Sequence, residues 1–563
     1  MISDFLLLKN DYFCKIKLSF LMKKILVSLI LLLPFLTKSQ ILEVSGIQEG
    51  LWNCDTVLVI KDVIVPEDKS LTISEGTRVV FKDYFSITVN GSFKALGNET
   101  DSIYFTARDT TGFFNWKKGK GGWNGLIIQT AKDTVILDYC HFSFGKSVNS
   151  QRSTVNGHGP EFKVQSSESN FGGALRIYNS IVNITNTTFY HNLTDSKGGA
   201  LYAEHSSINI SNCELDSNFG FNDEGVYMHG AGFQFSNCDV MMEDMYFHDN
   251  YCANCYGGGT NFDSCNVYVN NAVFEDNYAV NAAGMGIQRS NDYDVKIYNC
   301  LFDNNISYHY GGAMAMATSS PLIQNVTMTN NYTIAAGGGA LQFYSEARPV
   351  FENCIIWGND WYGEHNAISD GSQIFVWGSD CAPEFYNSIL QGGYKEVHGN
   401  SGIAVYDTAT MLDSDPMFVD IQNRDFRLQA GSPAINRGSF DTAGIPSKDL
   451  SGNPRIVGDR IDIGCYESDI TSLKEISHKN VNIYPNPINH NSICEFLLRN
   501  TSDVNVKIYK QNASLIFIKN YGKMQSGMNR IHISDFIKSL KKNNVYLLSI
   551  ESEEEKINIK FVY

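Results

Sequence analysis

The chain has 563 residues, 18 % of them charged, with 47 Gly, 34 Phe, 29 Tyr, only 12 Pro and a formal net charge of −16. That acidic balance excludes nucleic acid as a partner and argues against anionic lipid, because phosphate has to be met by Lys and Arg. The length allows two or three domains with large cores.

At the start, Met22-Lys23-Lys24 and the apolar stretch 25–36 have the layout of a secretory signal, with Thr37 and Ser39 as small residues before Gln40. The apolar stretch is shorter than the ~20 residues of a membrane span, and Lys15, Lys17, Lys23 and Lys24 interrupt any anchor helix reaching back from it. Residues 1–39 are therefore expected to be a signal peptide with its start at Met22. They contain six Lys and two Asp, so the exported chain carries −20. Residues 40–170 follow as strand-rich segments, such as Asp55-Thr56-Val57-Leu58-Val59-Ile60 and Arg78-Val79-Val80-Phe81, separated by turns at Asn90-Gly91 and Gly121-Gly122. They predict an N-terminal cap and the first coils of a solenoid.

A repeat occupies residues 171–412. Gly-rich starts at Gly172, Gly198, Gly230, Gly257, Gly284, Gly311 and Gly338 lie 26, 32, 27, 27, 27 and 27 residues apart. A period in this range marks units that bury their apolar faces only by stacking on one another. A second landmark is an apolar residue three before an Asn: Phe189/Asn192, Leu215/Asn218, Phe247/Asn250, Phe274/Asn277, Phe302/Asn305 and Met328/Asn331. This column, and the one two residues earlier (Thr187, Cys213, Met245, Ala272, Cys300, Val326), should point inward. Alternation without a helical period predicts coils of three short strands, a parallel β-helix with like residues laddered about 4.8 Å apart. The Asn residues are expected to serve turns, by bonding local backbone and tolerating the left-handed region.

The Gly-Gly-Ala-Leu/Met motifs at 172–175, 198–201, 311–314 and 338–341, with the Phe-x-x-Asn positions, resemble right-handed parallel β-helix surface proteins of the pectin-lyase-like class, as in chlamydial polymorphic membrane proteins. The resemblance implies an all-β, right-handed solenoid in an extracellular setting and implies no reaction.

Among the thirteen Cys, Cys140, Cys213, Cys300 and Cys354 share one inward column and Cys238 and Cys265 another, where thiols pack as small apolar groups. Cys252 and Cys255, in Cys-Ala-Asn-Cys, are read as a local disulfide, with metal the lesser alternative.

The links between Asn and the next Gly start vary most, from 5 residues at 193–197 to 26 at 146–171. Insertions of this kind gather on one face of a solenoid, often the binding face. They carry Asp223, Glu224, Tyr227, His229, Tyr251, Tyr256, Tyr278, Tyr308, His309 and Tyr310 as candidate ligand residues. Rings beside carboxylates suit sugars, although the same rings serve equally to pack turns. The expected function is binding or adhesion, to polysaccharide or to a host or neighbouring cell surface. The alternative is a polysaccharide lyase or glycoside hydrolase on the same fold, for which Gly157-His158-Gly159 is the one fragment of a motif.

One residue after each inward Phe or Leu, outward side chains place Asp216, His248, Glu275 and Asp303 in one column, with Asp249 and Asp276 beside them. Carboxylates at ladder spacing repel, so this column is a candidate Ca²⁺ site, weighed against a plain solvated acidic stripe.

Residues 413–469 break the period with Asp415-Pro416-Met417-Phe418, Gly431-Ser432-Pro433-Ala434-Ile435-Asn436 and Ile461-Asp462-Ile463-Gly464-Cys465-Tyr466-Glu467, and resemble the closing segment of bacterial surface β-helices, a C-terminal cap. After a polar linker at 470–480, residues 481–563 open with Tyr484-Pro485-Asn486-Pro487 and carry a late strand around Tyr546. They resemble the type A C-terminal sorting domain of the Bacteroidetes type IX secretion system, a small β-sandwich. That resemblance implies the general secretion machinery and the type IX outer-membrane exporter as partners, and a location outside the cell or on its outer membrane.

Overall fold

The computed structural model describes residues 41–115, 119–148, 171–221, 228–335, 337–361, 373–399, 404–468 and 481–563, apart from 486, 499, 511–513, 543 and 553–555. The expected signal peptide and linker, Gly157-His158-Gly159, Asp223, Glu224, Tyr227 and Asn486 lie outside these residues. Two compact units result: one takes residues up to 416 with 441–453 and 463–466, the other 417–440, 454–462 and 467–563.

The first unit is a right-handed parallel β-helix in which strands pair with their counterparts one coil away. A first wall runs through Leu175–Tyr178, Leu201–Glu204, Phe233–Ser236 and Thr260–Asp263. A second and third wall are made by one long strand per coil, as in Ser207–Asp216, Asp239–His248 and Asn266–Glu275. The strand turns the corner at a left-handed residue, Asn212, Asp244 or Asn271 (φ 53°, 52° and 56°). Asn and Asp tolerate that region better than other side-chain-bearing residues. The walls are already present at Ile41–Ile47 and Thr56–Val65, which pair in parallel.

A short fourth wall is added to the expected three. It stacks Lys146–Ser147, Leu193–Thr194, Phe219–Gly220, Tyr251–Cys252, Tyr278–Asn281, Ile306–Tyr310, Tyr332–Thr333 and Asp360–Trp361. Most of these strands are two residues long, too short for an alternating pattern to register in sequence.

Both columns expected to point inward do so. Phe142, Phe189, Leu215, Phe247, Phe274, Phe302 and Met328 are fully buried. Their rings stack coil on coil, Phe247 on Phe274 and Phe274 on Phe302 at 4.6 Å each, with planes 7° and 4° apart. Burying one such ring contributes about 2–3 kcal/mol.

The Asn residues do more than the expected turn bonding, which Asn250, Asn305 and Asn331 still show by donating to His248 O, Asp303 O and Thr329 O two residues earlier. Asn192, Asn218, Asn250, Asn277, Asn305 and Asn331 are fully buried. Each side-chain N–H donates to the next Oδ1 along the file, 192 to 218 to 250 to 277 to 305 to 331 to 359, always at 2.9 Å. The second Nδ2 hydrogen reaches a carbonyl one coil back, as Asn277 to Phe247 O and Asn305 to Phe274 O. The left-handed turn residue is the one before, Ser217, Asp249, Asp276, Asn304 or Asn330. The amide thus turns inward and spends its four bonding sites across coils, because a buried amide in an apolar core must be satisfied there.

Cys140, Cys213, Cys300 and Cys354 are free and buried, and the Cys238 N–H donates to Cys265 Sγ at 3.3 Å. Cys252 and Cys255 are bridged. Two returning segments close on the third wall: Asn299 Nδ2 donates to Lys448 O, Cys465 N–H to Thr327 Oγ1 and Gly464 N–H to Asn353 O.

The second unit holds the hairpin of Phe418–Asp420 and Asp425–Leu428, and an antiparallel sandwich of three and four strands. The sandwich closes on its own core, which includes Val481, Phe496, Val506, Leu548 and Phe561. Tyr484 is exposed and Pro487 is on the surface, whereas Tyr546 is buried against Phe561 with its hydroxyl accepting from Lys541 N–H at 2.7 Å.

Candidate functional site

The Phe column sets the register of the third wall, so the residues on either side of each inward ring face outward. Two outward columns result. One runs Arg78, Tyr104, His141, Thr188, Glu214, Tyr246, and the other Thr106, Ser143, Tyr190, Asp216, His248, Glu275, Asp303.

At the N-terminal end of these columns the rings cover one another. Arg78 lies over one face of Tyr104 at 5.0 Å, and His141 stacks on that ring at 4.7 Å. Burial holds the His141 imidazole below its ordinary pKa against the opposing pull of Glu214, which favours the neutral ring. Tyr190 is different. Its neighbour one coil earlier is Ser143, whose hydroxyl donates to Thr106 Oγ1 at 2.9 Å, so two small side chains stand where a ring would cover it. The His191 ring packs against Tyr190 at 3.9 Å, tilted by 56°, but Tyr190 stays 43 % exposed, and a depression of about 300 Å³ opens beside it, lined by Tyr104, His141, Ser143, Thr188, Glu214 and Asp216.

Next along the wall is a charge cluster. His248 Nε2 is 3.0 Å from Glu214 Oε1, and its Nδ1 is 2.9 Å from Asp249 Oδ2 and 3.8 Å from Asp216 Oδ1. Burial draws the His248 pKa down, but the bonds to Asp249 and Glu214 and the charge of Asp216 outweigh it, and the net shift is upward. With a carboxylate on each ring nitrogen, the doubly protonated imidazolium fits this geometry. The stability it contributes is present in full below the unfolded value of about 6.5 and is lost as pH rises through the higher folded value. The His248 resonance is expected to titrate above an ordinary histidine by NMR. Asp249→Asn or Glu214→Gln should bring it down, and an ordinary midpoint in the unmutated chain would refute the arrangement.

Of the residues proposed for Ca²⁺, Asp216, His248, Glu275 and Asp303 do occupy one ladder column, and donor atoms of Asp216, His248 and Asp249 lie within 4.8 Å of one another. That set could hold a divalent ion, but an imidazole nitrogen suits Zn²⁺ better than Ca²⁺, and the metal would have to displace its proton. His248 itself supplies positive charge to the stripe. Glu275 accepts from the Tyr246 hydroxyl at 2.8 Å. Asp276 is half-buried, its pKa raised by burial, and bonded to Asn304. Asp303, expected on the solvent face, is instead 1 % exposed. The returning segments bond to this end of the third wall, burial pushes the Asp303 carboxyl up to about 6, and Asn330 Nδ2 holds its Oδ1 at 2.7 Å.

The candidate ligand residues divide. Tyr251 and Tyr278 stack at 4.8 Å with planes 9° apart on the fourth wall. Burial raises the Tyr278 pKa, and the neighbouring Tyr251, Tyr308 and Tyr332 raise it further. Tyr308 is exposed beside His309, whereas Tyr310 stacks on Phe375 at 5.7 Å and Tyr256 meets Tyr344 at 6.2 Å. His229 pairs through its backbone with Tyr256. Of these rings Tyr251 and Tyr308 remain exposed. Of the residues around the depression, sequence reasoning names only Asp216, as a metal candidate, because it follows the outward neighbour after each inward Phe or Leu and not the one before. A larger cavity of about 490 Å³ lies beside Tyr84 and Lys120.

Residues 241–415 match the family model described as the right-handed β-helix region, and residues 186–204 match that of the Chlamydia polymorphic membrane protein repeat. No curated protein matches the chain.

Proposed function

We propose that the chain is an exported β-helix protein, delivered to the cell surface by its C-terminal sandwich, that binds glycan along the outer face of its third wall. The observation that carries the binding reading is the part-exposed Tyr190 ring, with His191 against one side only, beside a depression of about 300 Å³ lined by Ser143, Thr188, Glu214 and Asp216. A ring face takes the C–H face of a pyranose, and hydroxyls and carboxylates around it take its O–H groups. The repeat match at 186–204 includes the third-wall strand Thr188–Tyr190 and supports a surface setting, and the Tyr484-Pro485 opening of the sandwich supports type IX export.

The test is retention on immobilised polysaccharides. Tyr190→Ala is expected to lower affinity at least about tenfold, the ~1.4 kcal/mol or more of a lost stacking contact. Because Tyr190 points away from the core, its melting temperature should stay near that of the unmutated chain. Unchanged retention in a folded Tyr190→Ala protein would remove the site.

A further inference from the structure

The depression is acidic on one side only. Glu214 and Asp216 lie two residues apart on the same face of one strand, with Cα atoms about 7 Å apart. Behind them His248 carries at most one positive charge among Glu214, Asp216 and Asp249, so the cluster stays at least doubly negative whenever the three carboxylates are ionised. No Lys or Arg is among the described lining residues, and Arg78 stands beyond the closed Tyr104–His141 stack. The exported chain as a whole carries −20, which draws cations and repels acidic polymers over a distance of about one Debye length.

We propose, resting on the glycan reading above, that the depression selects a sugar bearing a free amine, a hexosamine unit protonated at neutral pH. Its ring lies on the open face of Tyr190 and its ammonium sits between Glu214 and Asp216. An ammonium offers three donors and no acceptor, which suits a span between two carboxylates. Charge-assisted bonds of this kind are about twice as strong as neutral ones. An N-acetylated unit loses the charge and adds an acyl group on the same side, and a neutral hexose keeps only the stacking and hydroxyl contacts. The volume, at the low end for ligand sites, suits a short stretch of sugar rather than a long enclosed chain. Thr188 and Ser143 flank the ring with hydroxyls, which fit sugar but do not discriminate between the three ligands.

The test is calorimetric titration of the mature chain at near-neutral pH with three short oligosaccharides of equal length: β-linked glucosamine, its N-acetylated form and β-linked glucose. The amine form is expected to bind at least about tenfold tighter than the other two, to weaken with added salt and to be indifferent to chelator. Glu214→Gln with Asp216→Asn should bring its affinity down to the level of the acetylated form, a loss at least several-fold larger than the same variant shows with glucose. Asp216→Asn alone keeps the Glu214–His248 pair and should give an intermediate loss, which guards against misfolding of the double variant. Glu67→Gln with Asp68→Asn, an exposed acidic pair elsewhere, should change nothing. Equal affinity for amine and acetyl forms would overturn the amine selection and leave the glycan reading standing. An equal loss from the 67/68 variant would reduce the effect to bulk charge, and loss on chelation would transfer it to a metal; either overturns the proposal. Absence of binding to all three, unchanged by Tyr190→Ala, would take the glycan reading with it.

Discussion

A chain lacking residues 481–563 is expected to fold its β-helix normally and to remain in the periplasm. The sandwich has its own buried core, with Cys494, Phe496, Val504, Val506 and Ile508 fully buried, and the β-helix core runs without it from Val44 to Met411. Removing a module that closes on itself leaves no cavity in the coils, so the far-ultraviolet spectrum and melting temperature of the coils should persist. What is lost, on the export proposed above, is the sorting surface, in which Tyr484 is exposed while Tyr546 is internal. Protease treatment of whole cells separates the outcomes. Digestion of the complete chain with protection of the truncated one is the expected result, and equal digestion would mean that export does not depend on the sandwich.

The largest expected effect on stability is that of Asn277→Ala. The Asn277 amide accepts from both Asn250 N–H and Asn250 Nδ2, and donates to Phe247 O at 2.9 Å and to Asn305 Oδ1 at 2.9 Å. Alanine leaves the buried Asn250 backbone N–H and the Phe247 carbonyl without these partners, at about 1–3 kcal/mol each, so a loss of roughly 3–5 kcal/mol follows. Asn277→Asp keeps the shape but removes both donors and introduces a carboxylate in an apolar column, and should be worse still. By contrast Asn209→Ala, on the exposed face of the second wall where Nδ2 meets Asn183 at 3.0 Å, should cost under about 1 kcal/mol. Equal losses at 277 and 209 in chemical denaturation would show that the buried file is not what holds the coils.

The fold was legible because its evidence repeats. One Phe–Asn spacing read at six successive coils determines which residues face inward, and the observed pairing of Leu215 with Phe247 and of Phe247 with Phe274 follows from it. The work of each Asn was not legible, because its partners lie elsewhere in sequence: Asn250 bonds to Asn277 and to Leu215, 27 and 35 residues away. Nothing local to Asn250 distinguishes an amide that caps a turn from one that bridges coils. The depression was hidden for a related reason. Whether Tyr190 is open on one side depends on Ser143, its ladder neighbour, which precedes it by 47 residues across the longest link. Asp303 illustrates the limit of alternation: the period placed it beyond the core, yet it is 1 % exposed, at the end of the third wall where chain from beyond residue 440 bonds to Asn299 and Thr327.

The one-way file of amides makes coils interchangeable. Each Asn presents an acceptor to the coil before it and a donor to the coil after it, so any coil's output matches any coil's input. Excising residues 250–276 would join Asp249 to Asn277, set Phe247 on Phe302 and Tyr251's place on Tyr278, and hand the donor from Asn218 to Asn277 without a mismatch. Residues 250–276 are one such unit of 27, other Asn-to-Asn units are 26, 28 or 32 residues long, and a deletion that removes one whole unit keeps the Phe and Asn columns in register. Length is therefore a free variable of this architecture in whole turns: unequal crossing-over within the gene can lengthen or shorten the rod, and with it the reach of whatever the third wall holds, while each product still closes its bonds.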